Sequence, residues 1–118
     1  MHSARAISYQ LVLRLQRAVR IQPGRLAATL LPAGDYVYTG SARRNLEARI
    51  ARHLRRDKPC RWHIDWLTTR PEVEILCVLR SSLPECELNQ ATRGELIIPG
   101  FGASDCRRGC GAHLKRLA

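Results

Sequence analysis

The segment Tyr36-Val-Tyr-Thr-Gly-Ser41, followed by Asn45-Leu-Glu-Ala-Arg49-Ile-Ala-Arg-His53, gathers residue types suited to phosphodiester chemistry. Gly40 and Ser41, at the join between a strand and a helix, let backbone come close to a ligand. Arg49, further along that helix, offers a planar fork of donors that matches phosphate oxygens. Tyrosines nearby can give or take a proton. The same residues also have a plainer reading, in which strand tyrosines fill a core and helix arginines form a solvated face.

Two further groups of residues invite chemistry. Cys106, Cys110 and His113, with three and two residues between them, suit zinc, and Cys60 with His63 offers a distant further pair. The alternative is that Cys106 and Cys110 are small buried residues of a glycine-rich turn. In Trp62-His63-Ile64-Asp65-Trp66, the His and Asp are candidate neighbours of a site and the tryptophans are candidate base-stacking platforms. Residues two apart on a helix do not face one another, so a structural role is favoured for the tryptophans.

Positioning these groups requires elements whose periods are legible. Ser8 to Leu15 alternates, with Tyr9, Leu11, Leu13 and Leu15 on one face, and predicts a strand. Arg25 to Leu31 and Asp35 to Thr39 read as strands joined in a hairpin by Pro32-Ala33-Gly34. Beyond Gly40 the period changes, and Asn45 is placed to cap a helix with Leu46, Ile50 and Leu54 on one stripe. On that helix Arg49, Arg52 and Arg56 fall within roughly 60° of one another. A short helix follows Pro59 through Trp62 to Leu67. Val73 to Leu79 is apolar enough for a strand covered on both faces, and Pro84 opens a helix through Cys86, Leu88 and Ala91. This order predicts a small α+β fold, a single domain with one mainly antiparallel sheet flanked by helices.

The 118 residues carry 20 basic against 10 acidic side chains, a formal charge of +10. That surplus points to a polyanionic partner, nucleic acid ahead of a membrane surface. It is zoned: residues 43–61 sum to +6, while 62–105 sum to −4, an acidic region suited to docking a protein partner in repair or processing. No apolar run approaches the roughly 20 residues of a membrane span, and Met1-His-Ser-Ala-Arg5 lacks the apolar core of a secretion signal, so a cytoplasmic protein with reduced thiols is expected.

Tyr38-Thr-Gly40, with Arg49 nine residues after the glycine and His53 four further on, resembles the GIY-YIG nuclease superfamily. Gly40-Ser-Ala42, Arg49-Ile-Ala-Arg-His-Leu54, Trp62-His-Ile-Asp65, Glu85-Cys-Glu-Leu88, Pro99-Gly-Phe-Gly-Ala-Ser-Asp-Cys106 and His113-Leu114 together resemble the related family labelled domain of unknown function 123. The resemblance implies a metal-dependent endonuclease acting on DNA in preference to RNA. It implies Tyr9, Tyr38, Arg49, His53 and Glu85 as catalytic residues, with Glu85 holding one Mg²⁺ or Mn²⁺ in preference to Glu87. Gly40, Ser41, Arg52, Arg56 and Lys58 are the expected nucleic-acid contacts. Ile7-Ser-Tyr9 departs from the first motif, which would begin with glycine, and motivates the alternative of an inactive nucleic-acid-binding module of the same fold.

Overall fold

The computed structural model describes residues 5–103, 106 and 108–117, so Met1 to Ala4 and the Ser104-Asp105 part of the glycine-rich motif lie outside the described residues. The elements are β1 (Ser8–Leu15), β2 (Val19–Ile21), β3 (Thr29–Leu31), β4 (Gly34–Ser41), α1 (Leu46–Leu54), α2 (Asp65–Thr68), β5 (Val73–Ser81), α3 (Glu85–Ala91) and β6 (Leu114–Arg116). The α+β expectation holds: four strands form an antiparallel sheet in the order β5-β1-β4-β6, and β2 and β3 form a separate two-stranded sheet.

The alternation in β1 does what its period requires. Tyr9, Leu11, Leu13 and Leu15 are all buried and join Tyr36, Tyr38, Ile50, Ile64, Leu67, Phe101 and Leu114 in one core. Antiparallel register sets Tyr9 opposite Gly40 and Leu11 opposite Tyr38, which brings the Tyr9 and Tyr38 rings onto one face with centroids 6.4 Å apart. Gly40 is needed there, because a Cβ would stand 2.5 Å from Cζ and Oη of Tyr9. The Tyr9 ring is too deeply buried to give way, so Gly40→Ala is expected to destabilise the fold by roughly 1–3 kcal/mol. Urea unfolding measures this; a loss within ~0.3 kcal/mol would show that the strand shifts freely.

Three expectations are corrected. Pro32-Ala33-Gly34 does not close a hairpin, since β3 pairs with β2 and β4 pairs with β1. β5 is an edge strand rather than a covered one, and Leu76, Cys77 and Leu79 are exposed. Asn45 does occupy the cap position of α1, but in the left-handed region (φ 54°) and with no side-chain capping bond; the buried side of α1 is Ile50 and His53, while Leu54 is exposed.

Candidate active site

A cleft of about 500 Å³ opens where the ends of β1 and β4, the face of α1 and the first turn of α3 converge. Its walls include Tyr9, Tyr38, Ser41, Arg49 and Glu85, so four of the five expected catalytic residues share one space. Glu85 faces the cleft from the first turn of α3, whereas Glu87 is exposed and does not line it. The join after β4 positions Ser41, whose hydroxyl donates to Glu85 Oε2 at 3.2 Å and whose carbonyl accepts from Arg49 at 2.6 Å. The Arg49 guanidinium also lies over the Trp62 ring, 4.8 Å from its centroid, so its plane is fixed on two sides.

The fifth residue, His53, is fully buried behind the cleft, with Nε2 2.6 Å from the Tyr9 hydroxyl and Nδ1 without a hydrogen-bond partner. Burial, and next the nearby Lys58 ammonium, push the imidazole down to about 4, so it is neutral at pH 7. Burial and the proximity of Tyr38 push the Tyr9 phenol far above its ordinary range; burial and the Glu85 carboxylate do the same to Tyr38. Neither tyrosine is a ready phenolate. Both line the cleft as neutral phenols, with the Tyr9 hydroxyl engaged by the buried His53 ring.

The depressed His53 pKa has a stability consequence of definite sign. Below the ordinary histidine value near 6.5 the unfolded chain takes up a proton that the folded chain refuses, so stability present above that pH is lost as pH falls toward 4. The loss at pH 5 is on the order of 2 kcal/mol. Denaturant unfolding between pH 7 and 4.5 should show it, and His53→Gln should flatten that part of the profile. An unchanged slope in the variant would place the effect on another group.

The expected nucleic-acid contacts divide. Ser41 lines the cleft and Gly40 packs beneath Tyr9. Arg52 donates to both oxygens of Asp65 at 3.0 and 3.1 Å and lies over Trp62 at 4.5 Å. Arg56 falls beyond the end of α1 and donates to the carbonyls of Arg70 and Val73. Lys58 donates to the carbonyls of Arg52 and His53, with a side chain only 2% exposed. These three cations close the C-terminal end of α1 against α2 and β5, and Lys58 is withdrawn from the surface. A long aliphatic stem lets lysine do this while its ammonium satisfies orphan helix carbonyls.

Asp65 does not line the cleft but sits behind its wall. It is fully buried and accepts from Arg52 and from the backbone amides of Arg61 and Trp62, with the Lys58 ammonium 3.8 Å away. Burial would raise its pKa, but these donors outweigh it and hold the carboxyl below its usual range. His63 does line the cleft, its Nδ1 accepting from the Gly102 amide at 2.8 Å. Trp62 lines it too, packed under the two guanidiniums. Arg61 and Arg108 also face the cleft and had not been singled out by any motif.

The cysteine cluster is reassembled by the fold. Cys106, Cys110 and His113 do come together, but the fourth member is Cys86 from α3; ligand atoms of the four residues lie within 4.8 Å of one another and could hold a metal ion. Cys60 is instead exposed beside Thr69. Cys86 was missed because it lies twenty positions before Cys106, and only the packing of α3 against the final segment joins them. Its one sequence signal was adjacency to Glu85. That carboxylate bonds His113 Nδ1 at 3.1 Å, so the cluster and the cleft share a wall.

The architecture is thus a small antiparallel α+β domain with a polar, arginine-bearing cleft at the strand-to-helix join. The family model described as domain of unknown function DUF123 matches residues 8–118, and the chain belongs to that family. No curated protein and no solved structure matches the chain. Among the described residues, no helix is long and apolar enough to cross a membrane.

Proposed function

We propose that the cleft hydrolyses phosphodiester bonds in DNA, as a metal-dependent endonuclease of GIY-YIG type. The observation that carries this reading is the convergence of Tyr9, Tyr38, Ser41, Arg49 and Glu85 on one cleft from separate elements. Among the described residues, Arg49, Arg61 and Arg108 line the cleft with one carboxylate, Glu85, a balance that suits an anionic phosphate.

In this reading Tyr9 donates to neutral His53, which turns a phenolic lone pair toward the cleft. An attacking water can be oriented there, with the Tyr38 hydroxyl as a second contact. Arg49, fixed by Ser41 and Trp62, directs its remaining N–H donors at the non-bridging oxygens, where negative charge develops. Glu85 carries four lone-pair positions, of which His113 and Ser41 take two, so one hard cation with water and phosphate as its other ligands fits the carboxylate. Mg²⁺ or Mn²⁺ held there would stabilise charge on the leaving oxygen.

The engagement of both Glu85 oxygens favours a second reading, a phosphate-binding module without turnover. A panel of single-stranded, nicked, flapped and branched DNA, with matching RNA, in Mg²⁺ or Mn²⁺ separates the two. Metal-dependent cutting of any member supports hydrolysis. Salt-sensitive binding to the panel with no cutting supports the module.

A further inference from the structure

Three cysteines and a histidine on a small domain invite comparison with the donor set of a structural metal site. Cys86 comes from the first turn of α3, Cys106 and Cys110 from the segment after Phe101, and His113 from the residue just before β6. Sγ of Cys86 and Sγ of Cys106 are 3.6 Å apart. A disulfide needs about 2.05 Å, whereas a tetrahedron with zinc–sulfur bonds of about 2.3 Å has sulfur–sulfur edges of roughly 3.8 Å. His113 is buried, its Nδ1 is taken by Glu85, and its Nε2 is buried with no hydrogen-bond partner. A buried ring nitrogen left unsatisfied in a cluster of thiols is costly unless something occupies that position.

We infer that Cys86, Cys106, Cys110 and His113 bind one zinc ion, with Nε2 of His113 as the nitrogen ligand and Glu85 as the carboxylate that orients its ring. Three thiolates and one imidazole complete a tetrahedron, which leaves no open position and makes the site structural. Soft thiolate ligands also exclude Mg²⁺ and Mn²⁺ from it in favour of zinc. The carboxylate–histidine–zinc arrangement fixes the tautomer, because Nδ1–H donates to Glu85 while Nε2 faces the metal. The ion ties α3 to the segment that leads into β6. It thereby fixes the cleft wall that carries Glu85, whether or not the cleft turns over substrate.

The test is metal analysis of the full chain, purified under reducing conditions and then equilibrated with Zn²⁺ or Co²⁺. About one equivalent of zinc per chain is expected, and Co²⁺ should give thiolate charge-transfer absorption with the intense visible bands of a tetrahedral site. Cys86→Ser and His113→Gln should each lose stoichiometric zinc, while Cys60→Ser should keep it. Glu85→Ala should weaken zinc affinity about 10–100-fold in a chelator competition. Should a ligand variant fail to fold, the cobalt spectrum of the wild-type chain still decides. Absence of bound metal after equilibration, an octahedral cobalt spectrum, or retention of zinc by Cys86→Ser would each overturn the assignment. A stable Cys86–Cys106 disulfide that resists conversion to a zinc-bound form under reducing conditions would do so as well.

Discussion

Arg49→Ala is expected to lower the rate of phosphodiester cleavage by about 10²–10³-fold with intact folding, the size of effect seen when one preorganised donor to a developing oxyanion is removed. The guanidinium is held by the Ser41 carbonyl and the Trp62 ring, so its position is set before substrate arrives. Lysine would keep the charge and lose both the planar fork and the stacking, and Arg49→Lys should therefore recover little of the rate. Single-turnover kinetics on a DNA substrate found to be cut, with Tm measured alongside, separates catalysis from stability. A variant with normal stability and nearly unchanged cleavage would remove Arg49 from the reaction.

The largest stability effect is expected at Asp65. Its carboxylate is wholly buried and serves Arg52, two backbone amides and, at 3.8 Å, Lys58. Asp65→Ala leaves the Lys58 ammonium in a site only 2% exposed with its counter-charge gone. Breaking one side of a buried pair in this way costs about 3–5 kcal/mol. For a domain of this length that corresponds to a fall in Tm of roughly 12 °C or more. Urea unfolding of the variant measures it. The double change Asp65→Ala with Lys58→Met should recover part of the loss, because it removes the stranded charge. A loss below ~1 kcal/mol in the single variant would mean that water reaches the site and that the pair is not buried in solution.

The contrast between Arg49 and Lys58 shows how far charge patterning could be read. Residues 43–61 form the densest basic zone, but Arg52, Arg56 and Lys58 spend their donors on Asp65 and on backbone carbonyls. Periodicity gave the helix and its arginine row. It could not say that the helix ends at Leu54, which puts Arg56 and Lys58 on the return of the chain where they close its C-terminal end. The same limit applies to the sheet. β1 has eight residues with Tyr9, Leu11, Leu13 and Leu15 on one face, so that face was legible, whereas the burial of Ser8 and Gln10 on the other was not. β2 and β6 have three residues each, too few for a period to show, and neither had been expected. Strand partners are not encoded in a period at all, which is why the turn at Pro32 to Gly34 was mistaken for a hairpin. The continuous apolar run of β5 was likewise misleading, since it lies at an edge with Leu76 and Leu79 exposed.

Local pattern marks only the join at Gly40 and Ser41 and the arginine on the helix after it; Tyr9 and Glu85 enter as site candidates through the resemblance to GIY-YIG nucleases. The register that sets Tyr9 opposite Gly40, and the packing that brings Glu85 to the same cleft as Arg49, come from the fold. Cys86 depended on α3 meeting the segment that carries Cys106, Cys110 and His113, information held in long-range contacts alone.

The proposed phosphodiester cleavage in this cleft runs through Arg49 and Glu85. Its most direct test is single-turnover cleavage of an end-labelled DNA panel in Mn²⁺ by wild type, Arg49→Ala and Glu85→Gln, with binding measured on the same substrates. Metal-dependent cutting by wild type, its loss in both variants, and retained binding by Glu85→Gln are expected. Cutting that both variants keep, or binding by wild type with no cutting of any panel member, would contradict the proposal.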